Sequence, residues 1–101
     1  MAKRRDWTAA RAKVEADNHG RCRVCRTAGV DAAHIIPRSI NPTEANMGAE
    51  AVVGLCRRCH TKYDSHQLDL LPHLTLDEQV HATRMAGSLE RARQIITGVR
   101  L

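Results

Sequence analysis

A chain of 101 residues has room for one domain, and a formal net charge of +5 excludes an acidic protein. With no Phe, one Trp and one Tyr, it lacks the large rings that usually fill a small core, so a fold held by apolar burial alone is not expected. The opening "MAKRRDW" has no apolar h-region, and no apolar run nears the roughly 18 residues of a membrane span.

In chain order, "RDWTAARAKVEADNHG" predicts a helix over about 6–18, with Trp7, Ala10 and Val14 on one face and Gly20 ending the turn. "RCRVCRTAG" is a tight loop, and "VDAAHII" is a strand stopped by Pro37. Residues 37–50 are irregular, a loop length that in a compact domain is usually functional or mobile. "AVVGL" is a second short strand, and "RRCHTKYDSH" is a helix that starts at the second cysteine pair. After the connector "LDLLPHL" comes one long terminal helix over about 76–97, opened by a Thr75/Glu78 capping box and closed near Gly98. Gly87 in its middle either weakens it or marks a close contact. Val80, Met85, Leu89 and Ile96 drift around this helix and suit covering the domain or a partner. The predicted class is α+β, one domain over 1–101 with its core at about 20–66.

Cys22, Cys25, Cys56 and Cys59 form two Cys-x-x-Cys turns with thirty residues between them. Each turn aims two thiolates at one tetrahedral ion, and two turns close a structural zinc site. Buried or redox-active cysteines are the alternative, but two pairs without a βαβ pattern argue against a thioredoxin-like reading. A cytosolic location is expected, where thiols stay reduced and paired cysteines favour metal over disulfide. Zinc on four thiolates would bring the net charge to about +3.

Two histidines lie close to these cysteines. His34 stands in the strand "DAAHIIPR"; His60 follows Cys59, with Asp64 one helical turn on. An i, i+4 His/Asp pair is a half-site for a second divalent ion. Taken alone, such a pair is more often a surface pair, and a strand histidine more often a satisfied core residue. His19, His66, His73 and His81 carry no assigned chemistry.

Taken together, "CRVC", "AHIIPR" and "LCRRCHTKYD", from Cys22 to Asp64, resemble the HNH nuclease family, in the small cysteine-flanked forms of phages and bacterial genomes. The resemblance implies a zinc-braced ββα-metal core, a hairpin and a helix clamping a divalent ion. It implies a metal-dependent DNA endonuclease that nicks, with little sequence specificity of its own. His34 is then the general base that takes a proton from the attacking water, and His60 a ligand of the catalytic ion, which could be Mg²⁺, Mn²⁺, Ni²⁺ or Zn²⁺. The partners implied are DNA, double-stranded, and a phage packaging or recombination protein, in the host cytoplasm.

The chain departs from the family pattern twice. Ala51 stands where an asparagine usually braces the general-base loop, with Asn46 nearby as a stand-in. Ala33 stands where many members place a metal ligand just before the base. Asp31 is two residues back, about 6.6 Å along an extended strand, too far without a bulge; Asp64 could replace the ligand from the helix side. Candidate phosphate contacts are Arg38, Arg57, Arg58 and Lys62, aided by the positive end of the helix, with Lys3, Arg4 and Arg5 as a basic arm. The same cations also suit a solvated surface. The departures leave a second reading open: an HNH-derived zinc module that binds nucleic acid or a partner protein without cleaving. A zinc protein-interaction domain is a third, which needs neither the basic surface nor the histidines.

Overall fold

The computed structural model describes residues 7–98, so the run Lys3, Arg4 and Arg5 lies outside the described residues. Helix α1 (Thr8–Ala16) buries Ala10 and Val14, and a 3-10 turn at Asp17–Gly20 ends it. A small cysteine loop follows, closed by an antiparallel bridge between Arg21 and Ala28. Strand β1 (Asp31–His34), two 3-10 turns at Glu44–Asn46 and Ala49–Ala51, strand β2 (Val52–Leu55) and helix α2 (Arg57–Asp64) come next. The chain then turns through Leu71–His73 into α3 (Leu76–Ala86) and α4 (Leu89–Thr97). Among the described residues, the architecture is thus four α-helices and one two-stranded antiparallel sheet. No helix among them is long and apolar enough to cross a membrane.

The two strands pair one to one, Asp31 with Leu55 through His34 with Val52, without a bulge. Period-two alternation gives the hairpin two covered faces. Ala33, Ile35, Val53 and Leu55 join the cluster with the cysteines, Tyr63 and Ile96. Val52, with Ala32 and Val30 beside it, packs under Ala10 and Val14 of α1. Gly54 lets that helix settle close: a Cβ there would stand 3.1 Å from Val14 Cγ1.

The single terminal helix expected over 76–97 is two helices. Gly87 takes a left-handed conformation (φ 94°) that caps α3, and the Ser88 side chain accepts from Arg91 N–H to start α4. Glycine adopts that φ at little cost, and the serine behind it is a good helix starter, so "GS" folds as a stop and a start. Ile96 is buried, while Val80 and Leu89 are exposed.

The predicted capping box is present at Thr75 and Glu78, and Glu78 does more than cap. Its side chain, 3% exposed, receives Lys13 Nζ at 2.5 Å from α1 and Arg23 at 2.7 Å from the cysteine loop. Lys13 also donates to the Val52 carbonyl at 2.7 Å, and Arg23 to the His73 carbonyl at 3.0 Å and to Asp17. Burial works to raise the Glu78 carboxyl, but Arg23, Lys13 and the Thr75 N–H outweigh it and hold it down at about 2.

Candidate metal centre and histidine site

The loop carrying Cys22 and Cys25 is brought to the start of α2 by the strand pairing that places Leu55 opposite Asp31. All four sulfurs lie within 4.8 Å of one another, with Cys25 Sγ 3.5 Å from Cys56 Sγ. Four thiolates at about 2.3 Å from one zinc would stand about 3.8 Å apart, so the group is sized for such an ion. The loop is shaped for it by Arg26 at φ 65°, whose N–H donates to the Cys22 carbonyl. Thr27, through its hydroxyl and its N–H, draws Cys25 down to about 6. Cys56 is the N-cap of α2, and its sulfur accepts from Cys59 N–H at 3.5 Å. One N–H of the first turn of α2 is thereby directed at the Cys56 sulfur.

His34 ends β1 beside Trp7 and Asn46 and is within range of the charge of His60. Alternation puts Asp31 and Ala33 toward α2, and His34 with Ala32 toward α1. The His34 ring meets the Trp7 ring edge to face, centroids 5.1 Å apart, and its Nε2 is 2.8 Å from the Asn46 carbonyl. A carbonyl can only accept, so Nε2 carries the hydrogen and the basic lone pair of the neutral ring is on Nδ1. Burial holds the imidazole below its usual range, the Asn46 carbonyl works against that, and charge on His60 lowers it further. The backbone just after His34 is held at three points. Ile35 N–H donates to the Ala51 carbonyl, Tyr63 hydroxyl donates to the Ile35 carbonyl at 2.6 Å, and Asn46 Nδ2 donates to the Ile36 carbonyl at 2.9 Å.

His60 has carboxylates on both sides. Asp31 Oδ2 is 3.4 Å from its Nδ1, because α2 begins beside Leu55, the residue paired with Asp31. Asp64 Oδ2 is 3.5 Å from the other nitrogen, Nε2. The imidazole is thus flanked by two carboxylates. His60 Nε2 and Asp64 suit two ligands on one ion, each at roughly 2.1 Å, with Asp31 behind the ring. Among the described residues, only the four cysteines gather three or more such donors within 4.8 Å; His60 and Asp64 bring two donor atoms to 3.5 Å of each other.

No known protein family, curated protein or solved structure matches this chain. The case for its function therefore rests on its own residues.

Of the candidate phosphate contacts, Arg58 and Lys62 are exposed and one helical turn apart on α2. Arg57 is exposed but leans on Asp31, Nε to Oδ2 3.1 Å, a surface pair worth little and easily exchanged for another anion. Arg38 is half-buried over the Trp7 ring, 6.0 Å from its centroid. A cleft of about 400 Å³ opens elsewhere, over Lys13, Arg23 and Glu78, whose charges satisfy one another.

Trp7, Asp31 and Tyr63 were not legible as site residues. Tyr63 follows Cys59 by four on the helix face that meets the hairpin, a signal that could have placed it. Ala51, at 1% exposure, packs with Ala10, Val14 and Trp7. Asparagine there would overfill this contact and bury an amide, so Ala51→Asn is expected to destabilise by about 1–3 kcal/mol and to bring no gain in activity. Urea unfolding of the two proteins checks it, and a stability equal to or above the parent's would refute the packing argument.

Proposed function

We propose that the protein is a metal-dependent endonuclease of HNH type that nicks DNA, with His34 as general base. The observation that carries this reading is the held imidazole. His34 ends the first strand of a hairpin–helix unit, its Nε2 is fixed by a backbone carbonyl, and Nδ1 is left as the base. In the reaction, Nδ1 takes a proton from water as its oxygen attacks phosphorus. The phosphorus–O3′ bond breaks, leaving a 5′-phosphate and a 3′-oxygen that takes up a proton. Arg58, Lys62 and Arg57 lie along α2 to hold the phosphates on either side. A divalent ion on His60 and Asp64 would neutralise charge on the phosphate. Zinc on the four cysteines would brace the unit.

Conversion of supercoiled plasmid to the nicked form, with Mg²⁺, Mn²⁺, Ni²⁺ or Zn²⁺ added to the zinc-loaded protein, tests the reading. His34→Ala is expected to lower the rate by about 10²–10⁴-fold. Because His34 titrates below its usual range, the rate should climb with pH at a midpoint under 6.5 and be level above it. Nicking that survives the loss of His34 would overturn the mechanism.

One observation favours a second reading, an HNH-derived module that binds nucleic acid or a partner without cutting it. The residues where a further ligand and a brace would stand, Ala33 and Ala51, are both buried alanines. Absence of nicking with any metal, together with salt-sensitive DNA binding, would select it.

A further inference from the structure

We infer that the orientation of His34 is set by a two-point clamp made of Asn46, in the loop between the two strands, and Trp7, at the start of α1 and outside the hairpin–helix unit. The inference rests on the proposed role of His34 only for its consequence in catalysis; the clamp itself is a matter of geometry.

Asn46 is 1% exposed, an unusual place for an amide in a loop. Its Nδ2 donates to the Ile36 carbonyl at 2.9 Å and to the Asn41 carbonyl at 3.0 Å, while its Oδ1 is buried with no donor opposite it. An unpaired buried acceptor costs about 1–3 kcal/mol, so it is the two donors that favour asparagine here. They tie the middle of the loop back to the chain two residues after His34. That tie fixes the Asn46 backbone carbonyl where His34 Nε2–H meets it at 2.8 Å. Trp7 closes the other side. It packs in the cluster of Ala10, Val14, Ala51 and Val52, where a brace from position 51 would otherwise come, and sets its ring against the imidazole. The charge that acts on the ring is that of His60, and Arg38 lies 6.0 Å from the Trp7 centroid. Asn46 and Trp7 are positioning residues: neither supplies the proton acceptor, and both decide where Nδ1 points.

The test uses the full, zinc-loaded chain and two readouts. The first is the exchange protection of the His34 Nε2 proton by NMR, which needs no activity. The second is the division of any nicking defect between kcat and KM. Asn46→Asp keeps the shape and removes both donors; Trp7→Ala removes the ring; Trp7→Phe keeps one. The expected result is loss of Nε2–H protection in Asn46→Asp and Trp7→Ala, with recovery in Trp7→Phe. A fall in kcat on the order of 10- to 100-fold at nearly constant KM should accompany it, the usual consequence of a misplaced group. Nε2–H protection unchanged in both disruptive variants overturns the clamp, as does a defect confined to KM. A protein that never nicks but loses protection as described retains the clamp and loses the nuclease reading. One that nicks with both variants unimpaired does the reverse.

Discussion

Zinc-loaded protein treated with a strong chelator, or changed at Cys56→Ser, is expected to lose its helical circular dichroism and its resistance to protease. The cluster joins the loop before β1 to the first turn of α2, and Cys22, Cys56 and Cys59 are buried within the main core. That core contains one tyrosine and no other aromatic ring. Structural zinc contributes about 10–16 kcal/mol in small domains, as much as or more than the 5–15 kcal/mol by which a typical native domain is stable. Removing it should therefore take away the whole margin. Cys56→Ser adds a local loss, since its sulfur also accepts the Cys59 N–H that caps α2. Elemental analysis must verify the metal content. An unchanged spectrum from verified metal-free protein would refute the coupling of metal to fold.

Glu78→Gln is expected to cost about 3–5 kcal/mol, the usual result of removing one partner from a buried ion pair. The carboxylate draws α1, the cysteine loop and the start of α3 together through Lys13, Arg23 and Thr75. A carboxyl held at about 2 against an ordinary 4.5 contributes on the order of 3 kcal/mol when ionised. The sign follows from the lowered value. The contribution is fully present above about pH 4.5 and disappears as the pH falls toward 2. Urea unfolding at pH 7 measures the gap between parent and variant, and a gap under about 1 kcal/mol would show that the network merely breaks even. Below about pH 4.5 the gap should narrow. Protons also displace metal from thiolates in acid, so the difference between the two proteins at equal metal content is the quantity to follow.

Features written in neighbouring residues were legible in the sequence. The cysteine spacing, the two strands, the start of α2 and the Thr75/Glu78 cap each depend on contacts a few positions apart, where periodicity and capping chemistry act. Features that depend on approach through space were not. Glu78 is a capping residue by local pattern, and nothing near it announces Lys13, 65 positions away, or Arg23, 55 away. Distance along β1 says nothing of the approach of Asp31 across to His60 on α2. Gly87 suggests a weakened helix or a close contact, and only its positive φ and the serine after it show two helices. Trp7 was placed correctly on the buried side of α1, but its neighbour there, His34, is fixed by tertiary packing.

The four-cysteine cluster has a consequence for how inhibition would be read. Cys22 and Cys59 bracket β1, the loop, β2 and the head of α2, so His34 lies inside the ring of chain that the metal closes, and His60 is one residue beyond it. If the protein nicks DNA as proposed, a chelator strong enough to empty the cluster would abolish that activity by letting those histidines drift apart, even if no second ion took part. Sensitivity to chelation would thus report the clasp before it reported the chemistry. A weak chelator that spares four thiolates but competes for His60 and Asp64 separates the two, and a two-step loss of activity with chelator strength is the signature of an enzyme that uses one metal to hold its shape and another to cut.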